Sequence, residues 1–185
     1  MNTQYEYIMS IMYSPVSYIH PGHLPAELTG NDRYDDVLIN YWIINKFELE
    51  DLHEDWQSSD VVSSFLLPAW AMIPLIARLI GGFLIREKLL LSSAMLITDP
   101  RLLAFISLPL KHDILLDRKA TDHTPTEWGV AFIFGLAEGF PKAILQRLKL
   151  LFSFDLILPE IVITRTPQQI NLLRMAINYA NDFKK

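Results

Sequence analysis

Apolar residues recur at helical spacing along most of the chain. Tyr5 to Met12 predicts a first short helix, which Ser14-Pro15 stops, because proline disfavours helical geometry in the residue before it. Asn31 or Asp32 predicts the cap of a helix reaching about Leu49. Val37, Tyr41 and Ile44 follow three-to-four spacing there, and Leu38 and Trp42 widen the stripe. Ser58 and Ser59 offer a cap for a helix through Val61, Val62, Phe65 and Leu66. Pro74 suits the first turn of a helix from Leu75 to Ile80, closed by Gly81. Arg86 to Ser92 predicts another short helix. Asp99 and Pro100 supply a cap and a first-turn proline ahead of Leu102, Leu103 and Ile106. Thr124 and Glu127 have the spacing of a capping box, opening a helix through Trp128, Phe132 and Leu136 that Gly139 ends. Pro141 starts the next, with Ile144, Leu145, Leu148 and Leu151 on its apolar side and Lys142, Arg147 and Lys149 projecting elsewhere. Thr166 and Pro167 open the last, whose stripe is Ile170, Leu173, Ala176, Ile177 and Ala180.

Between these elements, residues 14–28 read as an ordered loop with a turn at Pro21-Gly22. Residues 111–125 are polar and mixed, a candidate mobile loop. The only strand-like stretches, Leu156 to Leu158 and Ile161 to Thr164, are short and divided by Pro159, so no sheet is expected from them. The pattern predicts an all-α fold: a compact single-domain bundle of about seven to nine short helices over residues 1–185, without substantial sheet. A length of 185 residues suits one such domain.

One stretch complicates that picture. Phe65 to Ile85 is long enough to span a bilayer, which needs roughly 20 apolar residues. Arg78 inside it opposes a span at a cost of about 3 kcal/mol. Pro68 and Pro74 each remove a backbone donor, and Gly81-Gly82 interrupts the run. Two short buried helices meeting at Pro74 are the expectation; a membrane-associated helical protein using 65–85 is the alternative.

Composition narrows the function classes. Hydrophobic residues make up 51% of the chain, enough for a sizeable core. Cysteine is absent, which excludes disulfides, thiolate nucleophiles and thiolate metal sites. The N-terminus lacks the basic start and apolar run of a secretory signal. A formal charge of −5 argues against nucleic-acid binding. The charge is uneven: between Asp32 and Asp60 nine acids face two bases, so that segment carries −7 and the rest of the chain +2. Such an acidic face is either solvated or a docking surface for a basic partner.

Chemistry-bearing residues are sparse. His20 and His23 have ligand-like spacing, but Pro21 and Gly22 separate them and no third ligand follows. His112-Asp113 and Asp122-His123 pair a base with a carboxylate and come with no nucleophile motif. Acid pairs such as Asp35-Asp36 and Glu54-Asp55 are adjacent, and helical neighbours point about 100° apart. Phosphate-binding glycine loops are missing. No catalytic residue, metal or cofactor is expected, and the chain reads as a binding protein and not an enzyme. A small-ligand-binding helical protein is a further alternative.

The stretch from Ser14 to Leu28 resembles the N-terminal signature of the OrgA/MxiK (SctK) family of type III secretion systems. Pro15, Tyr18, His20, Pro21 and Leu24 match it position by position; Ser14 replaces an acid and His23 a basic residue. Pro74 to Gly81 is similar to the family's mid-chain segment, Gly139 to Phe152 has a familiar spacing, and the closing helix carries the family's Tyr-Ala pair at Tyr179-Ala180. The resemblance implies a virulence-associated protein-transport component: a cytoplasmic adaptor of the injectisome sorting platform, at the cytoplasmic face of the inner membrane of a Gram-negative bacterium. It implies two partners, the cytoplasmic domain of the inner-membrane ring protein (SctD-like) and the pod protein (SctQ-like). Partner-binding candidates are Tyr18, His20, Pro21 and Leu24 in the loop, with Asp35, Asp36 and Glu48 on the acidic helix.

If the apolar centre of the chain is core, Trp70→Ala should cost about 3–5 kcal/mol of stability in chemical denaturation; an unchanged midpoint would place Trp70 at the surface.

Overall fold

The computed structural model describes residues 3–28, 35–53, 56, 58–91, 99–116 and 123–182. Among these it is all-α, with nine α-helices, three single 3-10 turns and no strand. The α-helices are α1 (Thr3–Tyr13), α2 (Asp36–Lys46), α3 (Val61–Leu66), α4 (Ile73–Leu84), α5 (Arg86–Leu91), α6 (Pro100–Ile106), α7 (Pro125–Leu136), α8 (Lys142–Leu150) and α9 (Pro167–Asp182). The chain divides into two compact units: residues 1–71 with 139–156, and 72–138 with 157–185.

Local capping chemistry sets most boundaries. Thr124 and Glu127 form the expected capping box, each side chain bonding the other's amide. Burial raises the Glu127 pKa, but bonds from Thr124 and Ile157 and the nearby His123 outweigh it and hold the carboxylate below its usual range. Asp99 accepts from the Leu102 amide at 3.1 Å and opens α6; Thr166 does the same for the Gln169 amide at 3.3 Å in α9. Gly139, at φ 92°, follows the end of α7 in the left-handed region.

Other boundaries depart from expectation. Asn31 and Asp32, like Ser92, Glu54-Asp55, Asp122 and the middle of the 111–125 loop, lie outside the described residues. The cap of α2 is Asp35, which accepts from the Val37 amide at 3.1 Å. The helix stops at Lys46 and not near Leu49, because Glu48 sits at φ 48°, where a helix cannot continue. Asp60, and neither Ser58 nor Ser59, caps α3, taking both the Val62 and Ser63 amides. The buried stripe of α2 is Ile39 and Ile43, whereas Val37, Leu38 and Tyr41 are exposed. In α9, Gln169 and Leu172 join the buried face and Ile170 is half-buried.

The first unit packs around Ile19, Ile39, Ile43, Leu49 and Leu150, with Tyr18, Leu24, Trp42 and Phe47 against them. Trp70 is buried here, its ring edge-on to Tyr18 at 5.8 Å.

In the second unit α4 runs through Gly81 to Leu84 and is not ended by the glycine. A Cβ on Gly81 would lie 1.7 Å from the Pro125 carbonyl oxygen, and one on Gly129 would lie 1.7 Å from that of Ala77. These glycines therefore allow the α4 and α7 backbones to touch; each is four residues from the residue its partner meets, so the contact covers one helical turn. Around it pack Ile76, Ile80 and Phe83 of α4 and Phe132, Ile133 and Leu136 of α7, all fully buried. Twelve residues give α4 a length of about 18 Å, against the ~30 Å of a bilayer core. No helix among the described residues is long and apolar enough to cross a membrane. Arg78, the charge within this stretch, pairs with Asp99 at 2.9 Å on the helix's half-exposed side.

Gly129→Ala should be far more destabilising than Gly135→Ala. The first Cβ meets backbone, which cannot retreat, whereas the second meets the Ile163 side chain at 2.6 Å. Urea unfolding should separate the two by about 2 kcal/mol or more; equal midpoints would refute the close α4–α7 approach.

Candidate functional site

The loop carrying Tyr18, His20, Pro21 and Leu24 is built as two 3-10 turns, Pro15–Ser17 and Pro21–His23, each begun by a proline whose missing amide costs nothing at that position. It is clamped at both ends of the first unit. The Tyr18 hydroxyl donates to the Ile11 carbonyl in the last turn of α1 at 2.7 Å, and burial raises its pKa, so it remains a donor. The His20 amide donates to the Leu150 carbonyl at 2.7 Å, at the end of α8. The His20 ring accepts from the Gly22 amide at 3.1 Å. His23 Nε2 lies 2.6 Å from the Phe152 carbonyl; an oxygen there can only accept, so the ring nitrogen donates. The same ring meets Phe47 edge-on at 5.5 Å. Both histidines thus tie the loop to the scaffold.

Beneath the loop lies a residue expected at the surface. Arg147 of α8 is fully buried. Its Nε and Nη2 donate to the Met12 carbonyl at 3.1 and 3.0 Å, and Nη1 donates to those of Glu50 at 2.8 Å and Ala143 at 2.9 Å. Burial pulls its pKa down, and the nearby Tyr18 and Asp51 oppose that shift. A cation at the C-terminus of α1 also meets the negative end of that helix dipole. Ile144, Arg147, Leu148 and Leu151 share one helical face, so the register of Arg147 was the available signal for its burial.

The acidic candidates separate. Asp35 and Asp36 are exposed at the start of α2. Glu48 is exposed, but its carbonyl accepts from Gln146 at 3.2 Å. Gln146 also accepts from the Glu50 amide at 2.8 Å, and Lys142 pairs with the Glu50 carboxylate. Glu48 therefore belongs to a strap fastened to α8, a few residues beyond the end of α2.

Next to the loop, Pro25, Glu27 and Leu28 meet Leu38, Ile39 and Trp42 of α2 around an apolar groove of about 350 Å³. Its outer wall continues into exposed Val37 (69%), Leu38 (61%) and Tyr41 (69%). Sequence spacing alone does not reveal this surface, because α2 is apolar on every side. Among the described residues no group of three or more His, Asp or Glu side chains could hold a metal ion.

Fold and site together define an all-α protein in which a proline-rich motif loop is a fixed part of the helical framework. The chain belongs to the OrgA/MxiK family of bacterial type III secretion apparatus proteins, whose model matches residues 8–182. No curated protein and no solved structure matches it.

Replacing Arg147 with Met should destabilise the protein by at least about 3 kcal/mol, because the Met12 and Glu50 carbonyls lose their donors. Arg147→Lys should recover little of that, since an ammonium lacks the planar fork that reaches several carbonyls together. Chemical denaturation checks both; near-wild-type stability of Arg147→Met would contradict the clamp.

Proposed function

We propose that this chain is a cytoplasmic adaptor of the type III secretion injectisome, joining the cytoplasmic domain of the inner-membrane ring protein (SctD-like) to the pod protein of the sorting platform (SctQ-like). Family membership supports the apparatus; the observation that carries a docking role is the outer face of α2. Val37, Leu38 and Tyr41 form an exposed apolar row with Asp35 and Asp36 at its head and the loop-lined groove along its side. Apolar area with an aromatic anchor supplies binding energy, and the acids favour a partner surface carrying Lys or Arg. The motif loop contributes chiefly by support: Tyr18 and Leu24 pack inward and fix the groove wall that Pro25 and Leu28 complete. An adaptor held at the ring needs no membrane segment of its own.

Titration of the full chain against the purified ring domain and against the purified pod protein tests this. Tyr41→Ala should weaken one of the two complexes at least about tenfold. Asp36→Asn should lower its association rate and flatten its salt dependence. Both side chains are exposed, so melting should stay within about 0.5 kcal/mol of wild type. Binding of both proteins unaffected by either change moves the site elsewhere; binding of neither protein refutes the adaptor reading.

A further inference from the structure

The segment from 156 to 166 carries no helix, turn or bend, yet it is not loosely held. A backbone hydrogen bond from Ile157 reaches the Glu127 carboxylate. Ile163 lies over Gly135. The Thr164 and Thr166 amides donate to the buried Gln169 side chain at 3.1 and 3.4 Å. Between these pins exposure alternates strictly. Pro159, Ile161 and Ile163 are buried or half-buried, whereas Leu158, Glu160, Val162 and Thr164 are exposed, Val162 at 78%. A period of two is the signature of an extended strand with one face against the protein. No strand pairs with it among the described residues. Among the described residues, neither the amides nor the carbonyls of Leu158, Glu160 and Val162 have a hydrogen-bond partner.

We infer that residues 158–164 are a strand-addition site, occupied by an extended segment of a partner protein. The backbone argues for a strand and against a helix as the occupant: an extended chain presents its free donors and acceptors sideways, and only another extended chain satisfies them in series. The two edges are not equivalent. In an extended strand alternate residues face the same edge, so Leu158, Glu160 and Val162 offer three uninterrupted amide–carbonyl pairs on one side. On the other side Pro159 has no donor and the Ile157 amide is already engaged. The added strand therefore pairs along the Leu158–Glu160–Val162 edge. Leu158 and Val162 call for apolar residues opposite them, and Glu160 between them calls for a basic one. Because the segment is pinned in advance, little ordering entropy opposes the addition.

The site rests on the adaptor reading for the identity of its partner, so the test begins with complex formation. Hydrogen exchange on the full chain, alone and mixed with the purified ring domain or the purified pod protein, reads the edge amides of Leu158, Glu160 and Val162. In one of the two complexes their exchange should slow at least about tenfold. Val162→Pro, which deletes an edge donor, should weaken that complex at least tenfold, whereas Val162→Thr, which keeps it, should bind within twofold of wild type. Complexes that form without protecting these amides, or that tolerate Val162→Pro, overturn the strand site and leave the adaptor reading intact. Protection that appears in the chain alone as its concentration rises assigns the edge to a second copy and overturns the partner. Failure to bind either protein overturns both readings.

Discussion

The first unit depends on one buried guanidinium. The end of α1 leaves carbonyls that its own backbone cannot satisfy. The Ser14 amide, the Tyr18 hydroxyl and the Arg147 fork take those of Ser10, Ile11 and Met12 in turn. Arg147 then reaches the Glu50 carbonyl, so one side chain joins α1, α8 and the strap that follows α2. Burying that charge is costly, and it persists because each donating nitrogen finds a carbonyl and the dipole of α1 favours a cation at that end. The motif loop is the cover of this junction. Its matching residues read as structure: Tyr18 caps a helix end, His20 closes a 3-10 turn, and Leu24 joins the core.

The second unit solves a different problem. Its central stretch is apolar enough to suggest a membrane, and the helix at its heart is too short to cross one. That surface is instead covered where α4 meets α7: Gly81 and Gly129 let the two backbones approach closely, and Phe83, Phe132 and Leu136 on these helices are fully buried. Arg78, which argued against a span on the cost of its charge, lies on the side that remains open and is paired with Asp99.

What was legible in the sequence was local chemistry. Caps by Thr124, Asp99 and Thr166 depend on neighbours within four residues, and the spacing states them. The all-α class follows from the same periodicity. What was not legible depends on partners distant in sequence. Gly81 reads equally as a helix end or as a close-contact residue, and only the arrival of α7 decides. Helix α2 is apolar on all sides, so spacing could not choose Ile39 and Ile43 over Val37, Leu38 and Tyr41 for the core. Arg147 sits in register with the buried stripe of α8, yet its charge argued for solvent; besides the Ala143 carbonyl on its own helix, the carbonyls that receive it, those of Glu50 and Met12, are more than 90 residues away. The motif positions were found as a cluster, but whether each faces inward or outward required the fold.

Each unit by itself offers an unfilled surface of its own chemistry: a groove and apolar helix face with acidic residues in the first, a lone strand edge in the second. The proposed adaptor role requires that both partners be held at once. The most direct measurement is the mass in solution of a mixture of this chain with the ring domain and the pod protein, by light scattering after gel filtration. The account predicts a single species containing all three. Two separate binary complexes that exclude one another, or a chain that elutes alone, would contradict it.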